Sequence, residues 1–123
     1  MRRADQLLLI RRGHQPAVGE WSVPGGRLEP GEQLHDAVVR ELFEETGLES
    51  SCGALVGYSE RIADGYNYVI LDFEALVIGD SEPIAGSDAA DARWVPLAEV
   101  AEMELVEGLN GFLADHGIIP PIG

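Results

Sequence analysis

Three glutamates, Glu41, Glu44 and Glu45, crowd the end of a segment whose spacing predicts a helix from about Leu34 to a left-handed stop at Gly47. At 3.6 residues per turn they stand in i, i+3 and i+4 relation, so their carboxylates are expected to converge on one patch. Val39, Leu42 and Phe43 fall on the other side and are expected to anchor the helix to a sheet. Acids opposite an apolar stripe also describe an ordinary solvated helix face. Two costs tell against that bland reading. Like charges at these spacings destabilise a helix by roughly 0.2 to 0.5 kcal/mol per pair. The negative end of the macrodipole disfavours each carboxylate in the last turns by roughly 0.3 to 1 kcal/mol. A helix selected for stability alone would carry Lys or Arg there. A hard cation removes the conflict, because clustered carboxylate oxygens are the preferred ligands of Mg²⁺ or Mn²⁺.

The flanking residues suit the same reading. Arg40 adjoins Glu41 and precedes Glu44 by one helical turn, so its guanidinium can orient one or two carboxylates by hydrogen bonding. Gly25-Gly26 removes Cβ atoms at a chain reversal, which lets a backbone carbonyl or amide approach a metal or a phosphate. Glu32 can either reach the glutamate patch or cap the start of the helix.

The rest of the chain bounds the partners. Its 123 residues hold 8 Lys+Arg against 22 Asp+Glu, a formal net charge of −14. That length fits one domain, taken as residues 1–123. So few cations argue against a nucleic acid polymer, whose binding depends on clustered Lys and Arg. No apolar stretch approaches the roughly 20 residues of a membrane span. A soluble, unexported, cytoplasmic chain is expected, in keeping with the single cysteine, Cys52.

Along the sequence, Gln6–Arg12 reads as a strand buried on both faces, Trp21–Val23 as a short strand, and 27–31 as a loop. Ala54–Val56 and Tyr66–Ile78 are β-rich, the second long enough to read as a central strand. Residues 79–91 read as a loop beside a site, Ala92–Val95 as a strand, Pro96 as the first turn of a helix through Met103, and 105–116 as a last helix ending at Gly117. Strands and helices interleave, which predicts an α/β or α+β fold with a mixed sheet.

The pattern of Gly26, Glu32, Arg40-Glu41-Leu42, Glu44-Glu45 and Gly47-Leu48 resembles the Nudix box at every defined position, and Trp21–Gly26 and Ala92–Leu97 are similar to its usual surroundings. The resemblance implies an α/β/α sandwich around a mixed sheet, with the box forming loop–helix–loop. It implies hydrolysis of a nucleoside diphosphate linked to another moiety, with Mg²⁺ or Mn²⁺. By that resemblance Glu41, Glu44 and Glu45 are metal ligands, joined by the Gly25 carbonyl. Glu32 and Arg40 support and orient the site, and Arg12 and Arg27 face substrate phosphates. The general base is Glu41 within the box, or Asp88 or Asp91 in the later loop, where Asp88 is also placed against substrate. Similar proteins carry a strand before Gln6, where this chain has five residues, so a truncated start or an altered sheet edge is expected. They often dimerise, and this sequence permits a homodimer.

The substrate reading leans towards ADP-ribose or a related nucleotide, with a nucleoside triphosphate as the alternative. Tyr66, Tyr68 and Trp94 can stack a base or fill a core. A non-catalytic nucleotide sensor is a different class, for which a damaged box is expected, and all three box glutamates are present. His14, His35, His116 and Cys52 show no metal-ligand or catalytic spacing.

Overall fold

Leu7, Leu8, Leu9 and Ile10 leave a strand no polar face, so it can sit only between two apolar layers. In the computed structural model of the chain, which describes residues 2–3, 5–14, 17–63, 65–86 and 89–119, this run forms β2 (Gln6–Arg12). Along its length β2 pairs antiparallel with β6 (Ala89–Pro96). Its other edge is shared by β1 (Arg2–Arg3) and β3 (Trp21–Ser22), both antiparallel, at opposite ends. A parallel bridge between Trp21 and Leu105 makes the sheet mixed; the Trp21 N–H donates to the Glu104 carbonyl at 2.7 Å, and the Val106 N–H to the Trp21 carbonyl at 2.9 Å.

Alternation along β2 divides the core in two. Leu7 and Leu9 join Trp21, Val95, Val100, Leu109, Leu113 and Ile119 on one face. Leu8 joins Leu42, Leu48 and Trp94 on the other. The first cluster draws on the helices α2 (Leu97–Val100) and α3 (Leu109–Asp115), and the second on α1 (Leu34–Thr46). Helices therefore cover both faces of the sheet, the α/β/α sandwich that the resemblance implies. Gly47 closes α1 in the left-handed conformation, φ 71°, with its N–H donated to the Phe43 carbonyl at 2.8 Å.

Several expectations are corrected. Residues 66–78 do not form a central strand: β5 (Tyr66–Val77) pairs with β4 (Ser50–Ala63) in a separate two-stranded sheet. Val69 and Leu76 are 65% and 69% exposed there, so apolar content without a second layer misled the reading. Centrality belongs to β2, flanked on both edges. Phe43 does not anchor α1, since it is exposed, and Leu42 carries that role with Ala37. Residues 89–91 extend β6 rather than the preceding loop, and Pro96 is the N-cap of α2, which ends at Val100 rather than Met103. The last helix begins at Leu109, not 105, because Leu105 bridges to Trp21. The edge before Gln6 is not bare: Arg2 and Arg3 pair with Leu7 and Gln6.

Candidate active site

β3 ends at Ser22, and the chain then runs through Pro24-Gly25-Gly26 across the C-terminal half of α1. The Gly25 N–H donates to Glu45 Oε2 at 3.0 Å. A Cβ on Gly26 would fall 2.2 Å from the carboxyl carbon of Glu41. The Gly25 peptide thus receives one carboxylate of α1, and at Gly26 only glycine leaves room for the other.

Arg40 organises the rest. Its Nε and Nη2 donate to the two oxygens of Glu32 at 2.7 and 2.9 Å, a bidentate pair. Nη1 donates to Glu41 Oε1 at 2.8 Å and Glu44 Oε2 at 3.1 Å, and lies 3.6 Å from Glu29 Oε1. Nη2 also donates to the Arg27 carbonyl at 2.9 Å, tying the loop to the helix. Glu32 further accepts the Glu29 N–H at 3.1 Å, within a turn closed by the Glu32 N–H on the Glu29 carbonyl. Both oxygens of Glu32 are therefore engaged away from the helix start, where Gln33 is the N-cap without a side-chain cap bond. The hydrogen bond from Arg40 holds the Glu32 carboxyl below the usual glutamate range, helped by the Glu29 N–H. Glu32 and Glu41 in turn push the Arg40 guanidinium further up, so it stays charged.

The sequence-derived residues divide clearly. Glu32, Arg40, Glu41 and Glu44 meet on one guanidinium, and Gly25 and Glu45 meet in one hydrogen bond. Arg27 joins them through its backbone. Arg12 stands at the far end of β2, half-buried and paired with Ala89. Asp91 lies on β6, where its carboxylate accepts from Arg93 Nε at 3.2 Å and from Arg93 Nη2, and its Oδ1 accepts the Ala92 N–H at 2.8 Å. Arg93, first, and that N–H hold Asp91 below its ordinary value, which makes it a weak proton acceptor. Asp88 lies outside the described residues. Trp94 is core, beside Leu8 and Leu42, whereas Tyr66 is 67% exposed. Glu29 was missed; its signal is a carboxylate in the turn that delivers Glu32.

The carboxylates are not drawn round one point. Among the described residues no group of three or more His, Cys, Asp or Glu is arranged to hold a metal ion. Instead Glu41 and Glu44 share Nη1 and Glu45 turns to Gly25. The donors nevertheless suit a divalent cation: all are hard carboxylate oxygens, and one guanidinium answers four of them, Glu29, Glu32, Glu41 and Glu44. That residual negative charge is what a Mg²⁺ or Mn²⁺ ion would offset.

Comparison with known proteins shows the family. The family model described as NUDIX domain matches residues 1–116. The chain belongs to this family, the Nudix hydrolases. It is 37% identical over 100 residues to an ADP-ribose pyrophosphatase of Methanocaldococcus jannaschii, covering 80% of this chain and 59% of that protein. It is 33% identical over 92 residues to the human 8-oxo-dGDP phosphatase NUDT18, covering 75% of this chain and 28% of that one. The chain thus spans less than two thirds of these relatives. The MutT protein from Methanosarcina mazei Go1 shares the fold at a TM-score of 0.81, with 24% identity over 92% of this chain and 83% of that one.

Proposed function

We propose that the chain hydrolyses a phosphoric anhydride bond in a nucleoside diphosphate linked to another moiety, with ADP-ribose or a close analogue as substrate and Mg²⁺ or Mn²⁺ as cofactor. The observation that carries this is the convergence of Glu32, Glu41 and Glu44 on Arg40 beside the glutamate-bearing Gly25-Gly26 turn. It fits a pyrophosphate because a dianionic bridge cannot approach so many carboxylates unless a cation stands between them. The relative named ADP-ribose pyrophosphatase supports the substrate class. The human relative's name favours an oxidised guanine nucleoside diphosphate, which is the second reading.

Glu41, Glu44, Glu45 and the Gly25 carbonyl would hold the ion. Bound there, it would supply Lewis-acid polarisation of the phosphoryl oxygens and stabilise charge developing during in-line attack. Arg40 keeps Glu41 and Glu44 side by side, and Gly25 holds Glu45 close to the same turn, so the ligands would have only a short way to move to reach the ion. Glu41 lies over Gly26 and would accept the proton of the attacking water. Glu32 holds the Arg40 plane from its far side and touches no reacting atom.

The test is a panel of ADP-ribose, nucleotide sugars, 8-oxo-dGDP and nucleoside triphosphates, with products identified by ³¹P NMR and chromatography. Release of AMP from ADP-ribose, strictly on addition of Mg²⁺ or Mn²⁺, supports the first reading. Preferential turnover of 8-oxo-dGDP supports the second. A Glu45→Gln variant that turns over as fast as the wild type overturns the metal assignment.

A further inference from the structure

Glu44 and Glu45 sit on the last turn of α1, where a helix leaves carbonyls without intrahelical partners and tends to fray. In this chain the segment 78–86 runs beside the end of α1 and the residues that follow it. The Gly86 N–H donates to the Glu45 carbonyl at 2.8 Å, the Ile84 N–H to the Thr46 carbonyl at 2.8 Å, and the Ile78 N–H to the Glu49 carbonyl at 2.8 Å. Gly47 supplies the Phe43 carbonyl, and the buried Thr46 hydroxyl donates to Leu42 O at 2.6 Å and accepts the Leu48 N–H at 3.3 Å. A side chain at position 86 would destroy this fit. Its Cβ would lie 2.0 Å from the Glu44 carbonyl oxygen and 3.2 Å from Glu45 Cα, contacts with backbone that no rotamer change relieves.

Two consequences follow. The strap holds the Glu45 and Thr46 carbonyls by hydrogen bonds and packs against the Glu44 carbonyl at Gly86. It also places N–H dipoles against the negative end of the helix, lowering the cost of carrying carboxylates there. We propose that Gly86 is a positioning residue: it lets residues 78–86 lie flush on the last turn of α1 and so holds Glu44 and Glu45 in register for the divalent ion. This rests on the metal-dependent reading above.

The test uses the whole chain with Mn²⁺ as probe. In Gly86→Ala, amide exchange at Ile84 and at position 86 should accelerate, and Mn²⁺ binding, read by electron paramagnetic resonance, should weaken by roughly tenfold, about the weight of one lost hydrogen bond. The Mn²⁺ concentration for half-maximal activity should rise alongside, while kcat at saturating Mn²⁺ stays near the wild-type value. Should Gly86→Ala fail to fold, Ile84→Pro removes the Ile84 N–H donor at a residue that is 76% exposed, with amide exchange then read at Gly86 and Mn²⁺ binding read as before. A folded variant that binds Mn²⁺ as tightly as the wild type overturns the proposal, whether or not its strap amides exchange faster. If the wild type itself binds no Mn²⁺, the functional reading fails and this one with it, an outcome distinct from normal wild-type binding left unchanged by the variants.

Discussion

At Arg40 a single planar cation is asked to order carboxylates from a loop and a helix at once, which only the guanidinium fork can do. Lysine would keep the charge but lose the bidentate grip on Glu32 and the bridge between Glu41 and Glu44. Arg40→Lys should therefore lower kcat/KM by about 100-fold, of the order seen when a preorganised donor is lost, with a fall in Tm no larger than that of Glu32→Gln. Gly26→Ala should act in the same direction through Glu41, because the added methyl claims the space its carboxylate holds. Steady-state rates beside a melting curve check both. Glu32 makes a pH prediction. Its carboxyl is depressed by Arg40, so its contribution to stability is present above its unfolded value near 4.5 and is lost as pH falls through the lower folded value. The gap in Tm between wild type and Glu32→Gln should be widest near neutrality and should close as the pH falls below the unfolded value and through the lower folded one.

Among the elements, β2 bears the most weight, since Leu8 is fully buried against α1 while Leu7 and Leu9 serve the opposite core. Leu8→Ala should cost about 2 to 5 kcal/mol, as other buried leucine truncations do. Ile62→Ser on the hairpin, where that side chain is 79% exposed, should stay within about 0.5 kcal/mol. Denaturant titration of the two variants separates these expectations. They also explain which elements could be read in advance. An unbroken run of Leu and Ile admits one placement, between two layers, and Gly47 marks a helix stop by its own backbone freedom. β5 carries similar residues yet lies in a two-stranded sheet, because composition reports β-propensity and says nothing of how many layers cover a strand. The late start of α3 has the same origin: Leu105 is claimed by a bridge to Trp21, a partner far away in the chain.

For the molecule as a whole, the meeting of the candidate residues was legible in part because they recur at helical spacing and beside glycines, both local signals. The grouping of Glu32, Arg40, Glu41 and Glu44 could be anticipated from i, i+4 geometry and the loop between. What could not be anticipated is long-range: the Gly25 amide on Glu45, twenty residues away. The strap from 78 to 86 belongs to the same group, since its donors are irregular backbone and its signal is only a glycine among small residues. Among the described residues no helix is long and apolar enough to cross a membrane. The most direct measurement is hydrolysis of ADP-ribose followed with and without Mn²⁺, in the wild type and in Glu45→Gln. AMP should accumulate only in the wild type and only with Mn²⁺ present. Equal AMP release by the two proteins, or release that persists after the ion is chelated, would contradict the account.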